Sequence, residues 1–531
     1  MSTIRWSFLL LLLITTACQN TSETEATKDV RPNILFIMTD DHARKAISSY
    51  GSDLIETPNI DRIASEGIRF TNSFVTNSIC APSRAVLLTG KYSHLNGLRD
   101  NRDHFDGDQI NFAKLLQQAG YSTAVVGKWH LKTQPTGFDY WDVLIGQGNY
   151  YNPRMVRMGD TMTHTGYTTD IITDIALDVL EKRDTTKPFC MLYHHKAPHR
   201  NWMPNLKDLP EFLQKEYPLP PTLFDDYEGR EAAAAQDMRI EDMYMSSDMK
   251  LLPEDYGEET GTGGGGASNF RAPRNWDNLR KLLTPEQRKI WDENYDPIRK
   301  AFRENPPTGK DLIIWKYQRY MQDYMGSVAS VDENIGRVLA YLDEQGLAEN
   351  TIVVYTSDQG FYLGEHGWYD KRFMYEESFS MPLVIRYPAG VEGGQVRDEL
   401  VMNLDFAPTF LDYAGVDIPE DMQGESMRTI WEDTSAPEWR KSVYYHYYEY
   451  PHGWHNVKRH EGVRDDRYKL IHFYHDIDDW ELYDLATDSL EVNNLAEDPA
   501  YQEIKERLQK ELLRLREYYW LPENDTGDMA N

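Results

Sequence analysis

The chain has 531 residues, a formal net charge of −30, 40% hydrophobic and 12% aromatic residues, and three cysteines. That length accommodates one large domain and a smaller one, and the apolar content supplies a sizeable core. The acidic balance excludes nucleic acid as a partner, which needs a basic footprint, and makes any anion site a local exception.

Residues 1–18 read as an export signal. Arg5 gives a positive start, Phe8 to Ile14 is an apolar run too short to anchor in a bilayer, and Thr15-Thr16-Ala17-Cys18 closes it. Cys18 resembles the lipidated cysteine of a bacterial lipobox, although Thr15 stands where an aliphatic residue is usual; plain secretion is the other reading. Residues 19–30 are polar and read as a tether. With Cys18 lipidated and Cys80 modified, only Cys190 remains, so stability rests on the core and not on disulfides.

Asn33–Met38 is a short apolar run, the pattern of a buried parallel strand, and ends at Asp40-Asp41. Helical spacing follows over Ile60–Glu66 and over Asn111–Ala119, which stops at Gly120. Ser122–Val126 predicts a strand that leads into Lys128-Trp129-His130. Thr169–Leu180 predicts a helix and Phe189–His194 a strand, before Lys196-Ala197-Pro198-His199. Residues 200–310 break this rhythm with prolines, acidic residues and the glycine run Gly261–Gly266, and predict a loop-rich insertion. Trp315–Gln345 predicts a long helix. Thr351–Tyr355 predicts a strand ending near Asp358-Gln359, Pro382–Tyr387 another, and Leu404–Tyr413 a helix. Strands alternating with helices predict an α/β sheet with helices on both faces, spanning 31–435. From 436 to 531 the pattern changes to strands at Val443–Tyr448, Tyr468–Tyr474 and Glu481–Asp484, with a final helix over Tyr501–Tyr519. This predicts a smaller α+β subdomain on an antiparallel sheet.

Polar clusters sit just after the predicted strands, where open parallel sheets bind ligands. Asp40 and Asp41 repel one another unless a divalent cation intervenes, and Asp358 and Gln359 offer two more oxygen donors. Three carboxylates in an all-oxygen set suit calcium or magnesium rather than zinc. Lys128 and His130 alternate with Trp129 and point the same way from an extended segment. Arg84, Lys128 and Lys371 supply positive charge for an anion. Cys80 lies in Cys80-Ala81-Pro82-Ser83-Arg84, followed by Leu88-Thr89-Gly90-Lys91. Alone, it reads equally well as a structural cysteine beside a turn proline.

Together and in order, these motifs resemble the type I, formylglycine-dependent sulfatases of the alkaline phosphatase superfamily. The resemblance runs from Arg31-Pro32-Asn33-Ile34 to Glu481-Leu482-Tyr483-Asp484-Leu485. It implies a large mixed, mainly parallel sheet sandwiched by helices, and a Cys80 that a formylglycine-generating maturation enzyme converts to 3-oxoalanine. It implies one Ca2+ held by Asp40, Asp41, Asp358, Gln359 and the modified Cys80, with Gln359 a departure from the commoner Asn or His. By the same resemblance Lys128, His130, His199 and Lys371 bind sulfate and move protons, and Arg84 supports the formylglycine. One hydroxyl of the hydrated aldehyde attacks sulfur, His199 or Lys371 protonates the leaving sugar oxygen, and His130 then deprotonates the second hydroxyl.

The runs His194–Trp202 and Gly364–Arg372 resemble bacterial carbohydrate sulfatases, nearest those acting on 6-sulfated N-acetylglucosamine and related polysaccharide sulfates. The implied partner is a sulfated oligo- or polysaccharide, and a membrane only through a lipid on Cys18. Asp370 and Arg372 flank Lys371 as candidate sugar contacts, and His455, Arg459 and His460 lie on a C-terminal loop expected to close over the same pocket. Two other readings stay open: a phosphodiesterase or phosphonate hydrolase on the same fold, and a surface glycan-binding lipoprotein without catalysis.

Overall fold

The computed structural model is described here for residues 31–257, 276–433 and 438–522 and for Asp525. The export segment, the tether and the glycine run at 261–266 lie outside the described residues. Among the described residues no helix is long and apolar enough to cross a membrane.

A ten-stranded mixed sheet forms the centre. Asn33–Thr39 lies in its middle, parallel to Phe189–His194 on one side and to Thr351–Ser357 on the other. Ser122–Gly127 and Tyr140–Leu144 continue the parallel half, and the hairpin of Arg154–Arg157 and Asp160–Thr163 ends it. On the far side Leu383–Arg386 runs antiparallel, followed by Ile68–Phe70 and Gln395–Arg397. The central strands are buried along their whole length, and mostly apolar, because both faces are covered. Phe36, Leu192 and Ile352 point to one apolar layer, and Leu35, Ile37 and Met191 to the other.

The C-terminal strands form a separate four-stranded antiparallel sheet, as expected. A strand absent from the sequence reading, His460–Arg464, sits inside it between Val443–Tyr447 and Tyr468–Phe473. The helix Gln502–Tyr518 covers this sheet with Leu508, Leu512 and Leu515, spaced to share one helical face. Tyr445, Ile471 and Leu512 belong to the same apolar cluster as Phe36, so the small sheet is packed onto the large one.

The 200–310 stretch is more ordered than its composition predicts. It contains a twenty-residue helix, Pro285–Glu304. Thr284 and Gln287 form a reciprocal capping box at its start, and Pro285 occupies the first turn, where its missing N–H costs nothing. The long helix Gly309–Glu344 begins six residues before the expected Trp315.

Candidate active site

Four strand ends build the site floor, and the sheet's hydrogen bonding continues past them. His195 N donates to Met38 O at 2.8 Å, Lys128 N to His194 O at 2.9 Å, and Asp358 N to Thr39 O at 3.1 Å. These bonds place Asp40, Lys128 and Asp358 side by side although they are far apart in the chain. Gly127 permits the approach: its φ is 102°, and a Cβ there would lie 1.8 Å from His194 O.

The helix Cys80–Thr89 supplies the next layer. All ten of its residues are buried, and Gly90, in the left-handed region, ends it. Cys80 is its first residue, so the helix N-terminus, with its partial positive charge, opens at the sulfur, and Ala81 N is held by Asn101 Oδ1 at 3.3 Å. Helical spacing puts Cys80, Ser83 and Arg84 on one face. Ser83 Oγ donates to Asp358 O. Arg84 grips Asp358 Oδ2 with two nitrogens, at 3.1 and 2.8 Å, and donates to Lys128 O at 2.8 Å.

Asp40, Asp41 and Asp358 present carboxylate oxygens within 4.8 Å of one another, and Asp40, Cys80 and His199 form an overlapping group at the same separation. Each carboxylate has a cationic neighbour. Lys128 Nζ pairs with Asp40, Arg84 with Asp358, and Lys371 Nζ lies 2.6 and 2.8 Å from the two oxygens of Asp41. Gln359 Nε2 donates to Asp41. Two acceptors are left over: Asp40 Oδ1 and Gln359 Oε1 are buried without a hydrogen-bond partner. Orphaned oxygens beside three carboxylates fit a hard divalent cation.

Burial and neighbouring charges set the protonation states. Burial pushes the Asp41 carboxyl up to about 7 against the pull of Lys371. Burial raises the Cys80 thiol far above its ordinary range, and Asp358 and Asp41 add to it while Lys371 opposes, so the unmodified side chain is a neutral thiol. Burial works against the charge on Lys371, but its neighbours, Asp41 first and then Cys80 and Asp370, together outweigh burial and keep the ammonium protonated. Burial holds His130 and His199 neutral, helped by the positive charge of Lys128. His199 Nδ1 lies against the carbonyl of Arg200, which only accepts, so the proton sits on Nδ1. Nε2 then carries the lone pair, 3.8 Å from Asp41 Oδ2.

A pocket of about 180 Å³ opens over this floor. Asp41, Cys80, His199, Asp370, Lys371 and Arg372 line it, while Asp40, Arg84, Lys128, Asp358 and Gln359 form the buried layer beneath. The segment at Lys128 is not extended as expected. His130 adopts φ 59°, turning the chain, and its ring still feels the charges of Lys128, Arg84 and Lys371. Asp370 Oδ2 pairs with His455 Nε2 at 2.8 Å, and Arg372 pairs with Glu449.

Arg459 and His460 do not line the pocket, and their expected substrate contacts are corrected. Arg459 is buried and donates to the carbonyls of Tyr448 and Tyr450. His460 begins the strand missed from sequence, bonds the Lys458 carbonyl, and stacks on Tyr445, Tyr447 and Phe373. Sequence reasoning in turn missed Asn101, Gln147, Arg200, Asn201, Tyr244, Ser247 and Trp454, all of which line the pocket. Arg200 and Asn201 directly follow His199 and were legible by adjacency. The others come from loops whose convergence no local pattern signals.

Residues 32–416 match the protein family described as Sulfatase, and residues 364–518 the family described as N-sulphoglucosamine sulphohydrolase, C-terminal. The chain is 50% identical over 518 residues to an N-acetylglucosamine-6-O-sulfatase of Bacteroides thetaiotaomicron, covering 96% of this chain and 90% of that one. It is similar, at TM-score 0.88 and 50% identity, to a solved structure in complex with its substrate D-glucosamine-2-N,6-O-disulfate, over 94% of this chain and all of the other. A phosphonate monoester hydrolase from Silicibacter pomeroyi shares the fold at TM-score 0.64 and 21% identity, over 93% and 96% of the two chains.

Proposed function

Since the chain belongs to the sulfatase family and is a sulfuric ester hydrolase, we propose that it is an exported carbohydrate sulfatase that removes 6-O-sulfate from glucosamine residues of a sulfated glycan. One observation carries this reading. The cysteine of the Cys-x-Pro-x-Arg motif lines one pocket with Asp41 and Lys371, over a floor where Asp40, Asp41 and Asp358 cluster, in a chain half identical to an N-acetylglucosamine-6-O-sulfatase.

We read Cys80 as the precursor of formylglycine, formed by a maturation enzyme. The hydrated aldehyde supplies a geminal diol: one hydroxyl is the nucleophile toward sulfur, and the other allows sulfate to be expelled as the aldehyde re-forms. Asp40, Asp41, Asp358, Gln359 and the modified Cys80 would hold calcium, which would supply positive charge to stabilise the reacting sulfate. Lys128 and Lys371, paired here with Asp40 and Asp41, would be the lysine charges available to the sulfate once those carboxylates hold the ion. Arg84 stays on Asp358 and fixes its orientation. A bound anion raises the affinity of His199 for a proton, so His199 Nε2, or Lys371, donates to the leaving sugar oxygen. His130, kept neutral, accepts the proton of the second hydroxyl. Asp370 and Arg372 stand at the pocket wall to bind sugar hydroxyls. Export, with lipidation at Cys18, is proposed from residues 1–18.

The test is sulfate release from 6-sulfated N-acetylglucosamine, heparan-type disaccharides and sulfated algal oligosaccharides, with the protein co-expressed with a maturing enzyme. Release from the 6-sulfated sugar that disappears in Cys80→Ala is the expected result. Formylglycine at position 80, shown by peptide mass, without release from any of these sugars would overturn the substrate and favour phosphoester or phosphonate hydrolysis.

A further inference from the structure

The segment that carries Lys371 is held in an unusual shape by one loop of the C-terminal region. Asp370 has φ 78° and Arg372 φ 108°, conformations that side-chain-bearing residues rarely adopt. Their partners, His455 and Glu449, both lie in residues 448–456. That loop is itself tied down. Asp237 N donates to His455 O at 3.1 Å, Asn456 Nδ2 to Ala235 O at 2.7 Å, and Arg459 Nε to Tyr448 O at 2.9 Å. Gly453 packs against Glu449 so closely that a Cβ would stand 2.4 Å from its side chain.

Between these anchors the loop presents Trp454, which lines the pocket and leaves 38% of its surface exposed. Single exposed apolar residues are ordinary on protein surfaces. This one differs in two respects: its backbone is pinned from both sides, and it shares a pocket with Cys80 and Lys371. The charged lining at Lys371, Asp370 and Arg372 suits sulfate and hydroxyls. An indole face suits the opposite chemistry, the polarised C–H face of a pyranose ring.

We propose that Trp454 is the platform of a second saccharide subsite, on which the pyranose adjoining the sulfated residue stacks. The proposal rests on the carbohydrate-sulfatase reading and deepens it: the enzyme engages at least two linked sugars. Its test measures binding apart from turnover. In the Cys80→Ala protein, whose methyl side chain carries no heteroatom to oxidise to the aldehyde, calorimetry compares 6-sulfated glucosamine with a disaccharide that contains it, with and without Trp454→Ala. The expected result is that the preference for disaccharide over monosaccharide falls by up to about tenfold, the size of an aromatic stacking contact, and that Trp454→Phe restores most of it. Equal weakening toward both sugars, or no change in the preference, overturns the subsite. A Trp454-dependent preference in a protein whose matured Cys80 form releases no sulfate would leave the subsite standing and remove the sulfatase reading instead.

Discussion

Both ends of this molecule bury charge, but they close it off differently. In the C-terminal sheet Lys469 is fully buried between Glu376, at 2.9 Å, and Glu491, at 2.7 Å, and Arg459 is spent on backbone carbonyls. At the carboxyl edge of the large sheet, three carboxylates crowd within 4.8 Å, and their partners Lys128, Lys371 and Arg84 come from three other segments. Burial alone therefore does not mark a functional group. The distinguishing feature is that the active-site carboxylates cluster beneath an open pocket shared with Cys80 and Lys371, whereas Lys469 and Glu491 are closed into the interior.

Four experiments break or sharpen that contrast. The largest effect is expected from Cys80→Ala, which should lower sulfate release on the order of 10⁴-fold or more while leaving the thermal midpoint nearly unchanged. A comparable loss of stability would make Cys80 a packing residue. Next, chelation should reduce activity at least about 100-fold and lower Tm, with calcium restoring both and Asp358→Asn abolishing the calcium response of Tm. If Tm in the wild type ignores calcium, the carboxylate cluster needs another explanation. On the other side, Lys469→Met leaves Glu376 and Glu491 without their buried partner and should cost about 3–5 kcal/mol by denaturant titration, with activity per folded molecule retained. The smallest effect belongs to His460→Phe, which keeps the aromatic stacking: activity within about twofold and stability within about 1 kcal/mol. A marked rise in KM would return His460 to the substrate site.

His460 also makes a pH prediction. Burial lowers its folded-state pKa to about 3, below the ordinary 6.5. The unfolded chain takes up a proton that the native ring refuses, so native stability is full above about pH 6.5 and falls as pH drops toward 3. In His460→Phe the loss of stability over that window should be shallower, as read from Tm against pH.

The legible parts of the fold were those with a strong local signature. Asn33–Thr39, Phe189–His194 and Thr351–Ser357 carry continuous apolar runs because both faces are buried, and the polar residues at and after their ends announce a strand end. The helix Cys80–Thr89 was missed because all ten residues are buried, which erases the amphipathic period. Pro285–Glu304 was missed inside an acidic, proline-rich stretch, although Thr284, Pro285 and Gln287 spelled its start. His460–Arg464, His-Glu-Gly-Val-Arg, shows no alternation because it is an interior strand buried at every position. Reading it as loop is what placed Arg459 and His460 in the pocket.

Local sequence thus determined the central strands, the order of the chemical motifs and the residue types able to hold a cation and an anion. These depend on which side chains a short segment must bury and which it cannot. Tertiary structure alone decided which of these groups meet. Lys128 faces Asp40 and Lys371 faces Asp41 through a sheet register and a strained turn, and Trp454 reaches the pocket because a distant loop is tied to Asp370 and Arg372. Contacts between segments hundreds of residues apart arise from how whole layers pack, and no local pattern of polarity encodes that.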